Sequence, residues 1–415
     1  MRALTFRPIA ALALAGALLG GTLSGCGKGG TSNRAAGVSG DLGPLPAAHG
    51  ALGVSTKNTT RVGGAGPAAD AAAVAQAVYP GLTPATRPQT VVLVDERDWP
   101  AALAASVLAS APLGAPLLYA DGDSLPGATV QALRAMRPIG AASLGGAQVI
   151  RIGTAAALPG GLRARSIASA GEPAATAAAV QKLFDVVHGG SPHQVVVVAA
   201  DAPRALQMPA AALSAESGAP IMLIASTSVP ATTRAALKAL HHPTIYVVAP
   251  TTLNKRAYTE LAPLGTVVHV AGAAGESPSP MESADAVENA ISVSRFAHGS
   301  FGWGIHEAGH GLVFANISRP LDAPAAAPLS AHGDYGPLLL LAHGASVPSA
   351  LTQYLSDIEP GYTAALPPVR QVYNHGWLIG DEQAVSALAQ AELDTVLEIA
   401  PRQPSAAEQS VASAE

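Results

Sequence analysis

The chain has 415 residues, 49% of them apolar and only 12% charged, with a formal net charge of −5. That length and apolar share exceed one ordinary domain and can bury several cores, while the acidic balance and the lack of a basic block exclude a nucleic-acid footprint. A lone cysteine, Cys26, excludes any intrachain disulfide.

The opening "MRALTFRPIAALALAGALLGGTLSGC" sets Arg2 and Arg7 before an apolar run from Ile9 to Leu19. The run is too short to span a membrane, and residues 1–25 read as an export signal. It closes on Leu23-Ser24-Gly25-Cys26, which resembles the lipobox of bacterial lipoproteins. The resemblance implies a diacylglycerol on the Cys26 thiol, which would anchor the chain at the outer face of the cell membrane with about 0.8 kcal/mol per buried methylene. Residues 26–67 show no apolar period and many Gly, Ser and Thr, so they are expected to form a flexible tether. No later run reaches about 18 apolar residues, so the remainder is expected to be an ectodomain in the cell wall or periplasmic space. Sequons at Asn58 and Asn316 are read as chance matches, and the polar end 401–415 as a disordered tail.

Three segments superimpose almost without gaps: "VVLVDERDWPAALAASVLASAPLGAPLLYA" from Val91, "VVVVAADAPRALQMPAAALSAESGAPIMLI" from Val195 and "LVFANISRPLDAPAAAPLSAHGDYGPLLLL" from Leu312. In each, an apolar run predicts a strand buried on both faces, and an Ala-rich stretch predicts a packed helix. A proline shared by all three, Pro116, Pro220 and Pro337, then opens a second strand, where its missing N–H does no harm. Ser124-Leu125-Pro126, Ser228-Val229-Pro230 and Ser346-Val347-Pro348 follow, each opening a further helix. Third strands are predicted from Ala141, Thr244 and His375, and an Ala-rich leading helix before each unit. The expected fold is α/β: three tandem flavodoxin- or Rossmann-like modules with parallel sheets, at 68–165, 166–272 and 273–400. Three like units are expected to pack in a pseudo-threefold arrangement.

The repeated block resembles the cell wall-binding repeat 2 family of Gram-positive surface proteins. The residues that carry the likeness are Gly114-Ala115-Pro116-Leu117-Leu118 with Leu125-Pro126, Gly218-Ala219-Pro220-Ile221-Met222-Leu223 with Val229-Pro230, and Tyr335-Gly336-Pro337-Leu338-Leu339-Leu340 with the later "WLIGDEQAVS". They cover about residues 68 to 395. The resemblance implies a pseudo-trimer of modules that holds proteins to anionic polymers of the wall, without catalysis. Asp95-Glu96-Arg97-Asp98 departs from the family's usual loop, and "VVAPTT" from its strand-end Gly pair.

Ligands of open parallel sheets favour the loops at strand carboxyl ends, and those loops hold Arg97, Arg204 and Arg319, one per module. Guanidinium groups there would suit the phosphates or carboxylates of a cell-wall anionic polymer or peptidoglycan-linked glycan, although nearby Asp95, Asp98, Asp201 and Asp322 equally mark them as solvated loop arginines. Trp99, Trp303 and Trp377 read as packing residues. His306-Glu307-Ala308-Gly309-His310 matches the H-E-x-x-H of zinc peptidases, but the glycines around it oppose a helix and Leu312 starts a predicted strand. No catalytic residue, cofactor or metal is therefore expected. The expected function is a non-enzymatic, lipid-anchored surface protein contacting wall polymer; the alternatives are a solute-binding lipoprotein of a transporter and, last, a zinc metallopeptidase.

Overall fold

The computed structural model describes residues 52–168, 171–271, 283–332, 336–363 and 367–402. The export signal, Cys26, the first part of the tether, Tyr335 and nearly all of the tail lie outside the described residues.

The described chain opens with a hairpin, β1 (Leu52–Ser55) and β2 (Thr59–Val62). The first module follows as α1 (Pro67–Val78), β3 (Val91–Asp95), α2 (Trp99–Ala105), β4 (Leu117–Ala120), α3 (Gly127–Met136), β5 (Val149–Ile152) and β6 (Ala164–Ile167). The second is α4 (Pro173–His188), β7 (Gln194–Ala199), α5 (Arg204–Gln207), α6 (Pro209–Ser217), β8 (Ile221–Ile224), α7 (Ala231–Ala239), β9 (Thr244–Val248), α8 (Lys255–Leu261) and β10 (Thr266–Val270). The third is α9 (Ala286–Arg295), β11 (Gly311–Asn316), α10 (Asp322–Ala331), β12 (Leu338–Leu341), α11 (Ser349–Asp357), β13 (Gly361–Tyr362), β14 (His375–Ile379), α12 (Ala387–Val396) and β15 (Ala400–Pro401).

The first two sheets share one order, β4-β3-β5-β6 and β8-β7-β9-β10, all parallel. Their central strands are apolar without alternation because helices cover both faces: Val91 to Val94 and Val195 to Val198 are buried throughout. The repeats extend to small details. Ser124, Ser228 and Ser346 close the same two-residue turn after β4, β8 and β12, bridged to Asp121, Ala225 and His343. Each proline that follows caps α3, α7 or α11. The α/β fold of three like modules with parallel sheets is thus the one that the repeats predicted.

Alanine explains how the modules meet. The middle helices α2, α6 and α10 present buried Ala101 to Ala105, Ala210 to Ala212 and Ala325 to Ala327, and small side chains let three helices approach one another. Ala109, Ala215 and Ala327 form one apolar cluster with a residue from each module. Each leading helix packs on its own module and on the middle helix of the one before: α4 on α2, α9 on α6, and α1 on α10. That cyclic order is the pseudo-threefold arrangement. Buried polar bonds cross the same junctions, from Trp99 Nε1 to Gln207 Oε1 at 3.0 Å, Asn289 Nδ2 to the Leu206 carbonyl at 3.1 Å and the Tyr119 hydroxyl to the Leu321 carbonyl at 2.6 Å.

Two expectations need correction. The third strand of the first module is not at Ala141: Ala142–Leu144 form a 3-10 turn closed by an Ala141–Ala147 bridge, and the strand waits for the β-branched run Val149–Ile152. The tether does not extend to residue 67, because β2 pairs in parallel with β14 and the third sheet runs β1-β2-β14-β11-β12. Its period was hidden because polar bonds hold it. Asn58 donates to the Asp394 carbonyl at 2.9 Å, Thr60 bonds His375 Nε2 at 3.0 Å, and Arg61 donates to Gln390 Oε1 at 2.8 Å. Asn58 and Asn316, the two sequon asparagines, are both buried.

Candidate anion-binding groove

Arg97, Arg204 and Arg319 stand where expected, beyond the carboxyl ends of β3, β7 and β11, but Arg97 and Arg319 are taken up by carboxylates of their own surroundings. Arg97 donates from Nε and Nη2 to Asp95 at 3.0 and 2.8 Å, which holds the Asp95 carboxyl below the usual range. Arg204 opens the short helix α5 and is exposed. Arg319 is largely buried and forms ion pairs with Asp70, with Asp322 at 3.2 Å and with Asp381 at 3.2 Å.

The carboxyl edge as a whole is acidic. A pocket of about 430 Å³ there is lined by Glu96, Asp121, Ser124 and the first turn of α1. Burial, with Asp121 and Asp95 nearby, raises the Glu96 carboxyl. The matching pocket of the second module, about 150 Å³, is lined by Glu172, Asp201 and Pro230. Such a wall repels a polyanion.

Charge in the first module is sorted by edge. All six carboxylates of residues 68–168, Asp70, Asp95, Glu96, Asp98, Asp121 and Asp123, lie at the carboxyl edge, whereas Arg87, Arg134, Arg137 and Arg163 flank the amino edge. There a groove of about 360 Å³ is lined by Arg87, Leu133, Arg134, Arg137, Pro138, Gln148, Pro159, Gly160 and Leu162.

Local structure explains its shape. Arg87 follows a 3-10 turn over Pro84–Thr86, and Arg134 and Arg137 end α3. Arg137 adopts a left-handed conformation, φ 49° and ψ 61°, and its Nη2 donates to the Gly81 carbonyl. This left-handed residue ends α3 and turns the chain toward Pro138. Gln148 forms the floor, donating to the Pro138 carbonyl at 2.8 Å and accepting from the Arg163 N–H at 3.2 Å. Arg87 Nε is buried without a hydrogen-bond partner. Three guanidiniums without a carboxylate among the lining can grip phosphate or carboxylate groups in paired fashion. Leu82, 80% exposed, and Ile139, 54% exposed, adjoin the groove through Gly81 and Pro138. Sequence reasoning missed this site, although residues 124–168 hold five arginines and no acidic residue.

The peptidase motif lies elsewhere and is not helical. His306 to His310 form a turn ahead of β11, Gly309 has φ 111°, and the N–H groups of Gly309 and His310 both donate to Asn374 Oδ1, at 2.8 and 3.1 Å. Burial lowers the His310 imidazole. The one-faced histidine pair of a zinc peptidase is therefore not formed. Among the described residues no group of three or more His, Cys, Asp or Glu is placed to hold a metal. Trp99 is core, while Trp303 and Trp377 are partly buried against it.

No family model matches the sequence, and no curated protein sequence matches it. Solved structures do share the fold. Cwp6 from Clostridium difficile superimposes with a TM-score of 0.60 at 18% identity, over 82% of this chain and 48% of that one. Cwp8 from Clostridium difficile superimposes with a TM-score of 0.59 at 16% identity, over 82% of this chain and 52% of that one. The chain thus spans about half the length of the structures that it matches, and what it shares with them is the architecture of tandem parallel-sheet modules.

Proposed function

We propose that the protein is a non-enzymatic component of the cell surface that holds an anionic cell-wall polymer at the amino edge of its first module. The observation that carries this reading is the sorting of charge. Arg87, Arg134 and Arg137 line one groove free of carboxylates, while the opposite edge, where Arg97 is neutralised by Asp95, is acidic. The fold shared with Cwp6 and Cwp8, and the resemblance of the repeats to the cell wall-binding repeat 2 family, support the same reading. In it the Cys26 lipid keeps the protein at the outer face of the membrane and residues 27–51 give it reach into the wall. Among the described residues no helix is long and apolar enough to cross a membrane.

The test is retention of a soluble form, residues 52–402, on purified cell walls before and after chemical removal of their anionic polymers. Retention that disappears with the polymers supports the reading; equal retention on stripped walls overturns it.

A further inference from the structure

The modules follow one another in a ring, but the ring is closed by a segment that belongs to none of the three repeats in sequence. In the first two modules the fourth strand, β6 or β10, precedes the leading helix of the next module. In the third module that place is taken by β2, which leads through residues 63–66 into α1 of the first module. The seam is tight. A Cβ on Gly63 would collide with the Gly380 backbone and the Asp70 carboxylate. Gly376 and Gly380 donate to the Asn58 and Val62 carbonyls at 2.8 and 3.1 Å, and Gly64 donates to Asp70 Oδ1 at 2.6 Å.

Behind this seam sits an unbalanced charge cluster. Asp70 on α1 and Asp322 on α10 are fully buried, and the single cation facing them, Arg319, is shared with Asp381 beyond β14. Three carboxyls meet one guanidinium. Asp70 and Asp322 share that one guanidinium across the packed α1 and α10, and a single positive charge cannot balance two buried carboxylates. Arg319 stands beside Asp322 as an ion pair, but neither Asp322 oxygen has a hydrogen-bond partner. The Tyr119 hydroxyl on β4 and, farther off, Glu96 complete the surroundings and bring no positive charge. On the far side of Asp381, Arg61 of β2 is engaged with Gln390 and the Gly380 and Asp381 carbonyls.

We propose that this seam is a lock on the module ring, held shut while Asp322 carries a proton and loosened as that proton is lost. Opening it frees β2 from β14 and separates α1 from α10. Burial pushes the Asp322 carboxyl well up and that of Asp70 up, in agreement. The sign follows: a carboxyl that keeps its proton longer in the closed state stabilises closure at acid pH, and this is lost as pH rises from about 4 toward the closed-state value. His375, which bonds Thr60 on the same strand, acts with the opposite sign, since burial lowers its imidazole and acid charges it.

Hydrogen exchange at the Gly64, Gly376 and Gly380 amides, corrected for the intrinsic rate, reports opening of this seam; the amides of Val196 and Thr244, bonded within the second module, serve as controls. Comparing the protein with its Asp322→Asn variant cancels His375, because both carry that imidazole while Asn stays uncharged at every pH. The ratio of opening constants, parent over variant, is expected to rise roughly tenfold or more between about pH 5 and about pH 9 at the three seam amides, with the controls unchanged. A flat ratio overturns the lock, and so does a rise shared equally by the controls. If Asp322→Asn does not fold, Asp70→Asn, which removes the charge that Asp322 would face, must flatten the parent's dependence at the same amides; failure to do so also overturns it.

Discussion

Trp99→Phe tests the junction between the first and second modules. Trp99 and Gln207 are each 2% exposed and meet through Nε1 and Oε1 at 3.0 Å. Phe keeps an aromatic body but removes the donor, so the Gln207 oxygen loses its partner in a site closed to water, while Nε2 still holds the Ala202 carbonyl at 2.7 Å. An orphaned buried acceptor costs about 1–3 kcal/mol, and the smaller ring leaves unfilled volume, for a total of about 2–4 kcal/mol. Gln207→Met orphans the indole N–H instead, at about 1–3 kcal/mol. Because the two changes damage one bond, the double variant should lose less than the sum by about 1–2 kcal/mol. Urea unfolding, followed as a midpoint shift at unchanged slope, measures each corner of the cycle. Strict additivity would mean that the two side chains do not touch, and the described packing of α2 against the second module would be wrong.

Deleting residues 52–62 should lower the urea midpoint and increase exchange at Gly376 and Gly380, whose carbonyl partners on Asn58 and Val62 are lost. A variant as stable as the parent would show that those residues are a tether after all. His375 predicts an acid limb: its folded imidazole is lowered, so stability contributed by the neutral ring is present above about pH 6.5 and lost as pH falls through the folded value. His375→Gln should reduce this limb in thermal melts, and an unchanged limb would contradict the assignment. Addition of zinc, or its removal by chelation, should leave the melting temperature unchanged within about 1 °C, because the His306 and His310 segment is not helical. A rise with stoichiometric zinc would contradict that.

The recurring strands and helices were legible in the sequence because each is bracketed by its own signals. Unbroken apolar runs mark β3 and β7, and the shared prolines before β4, β8 and β12 and before α3, α7 and α11 mark the rest. Buried alanines in α2, α6 and α10 announced close helix packing. The fourth strands were not legible: β6 has largely exposed side chains, β10 is only partly buried, and β2 is fixed by Thr60, Arg61 and the polar groups that they meet, so neither apolar run nor period reveals them. The candidate site was half legible. The anionic ligand class guided attention to Arg97, Arg204 and Arg319, and the sequence neighbours Asp95 and Asp322 do pair with Arg97 and Arg319, but the distant partners Asp70 and Asp381 of Arg319 were not legible. The groove arginines come from α3 and from the segment before β3, elements brought together only by the fold.

The most direct test of the account is titration of purified anionic wall polymer into residues 52–402, comparing two triple variants by calorimetry. Arg87→Ala, Arg134→Ala and Arg137→Ala together remove the groove's cations, and charge-assisted bonds of about 1.5–3 kcal/mol each predict a loss of at least about a hundredfold in affinity. Arg97→Ala, Arg204→Ala and Arg319→Ala together remove the carboxyl-edge trio and should leave the affinity of the folded fraction within about threefold of the parent. The reverse pattern, or no binding by the parent, would contradict the assignment of the amino-edge groove as the polymer site.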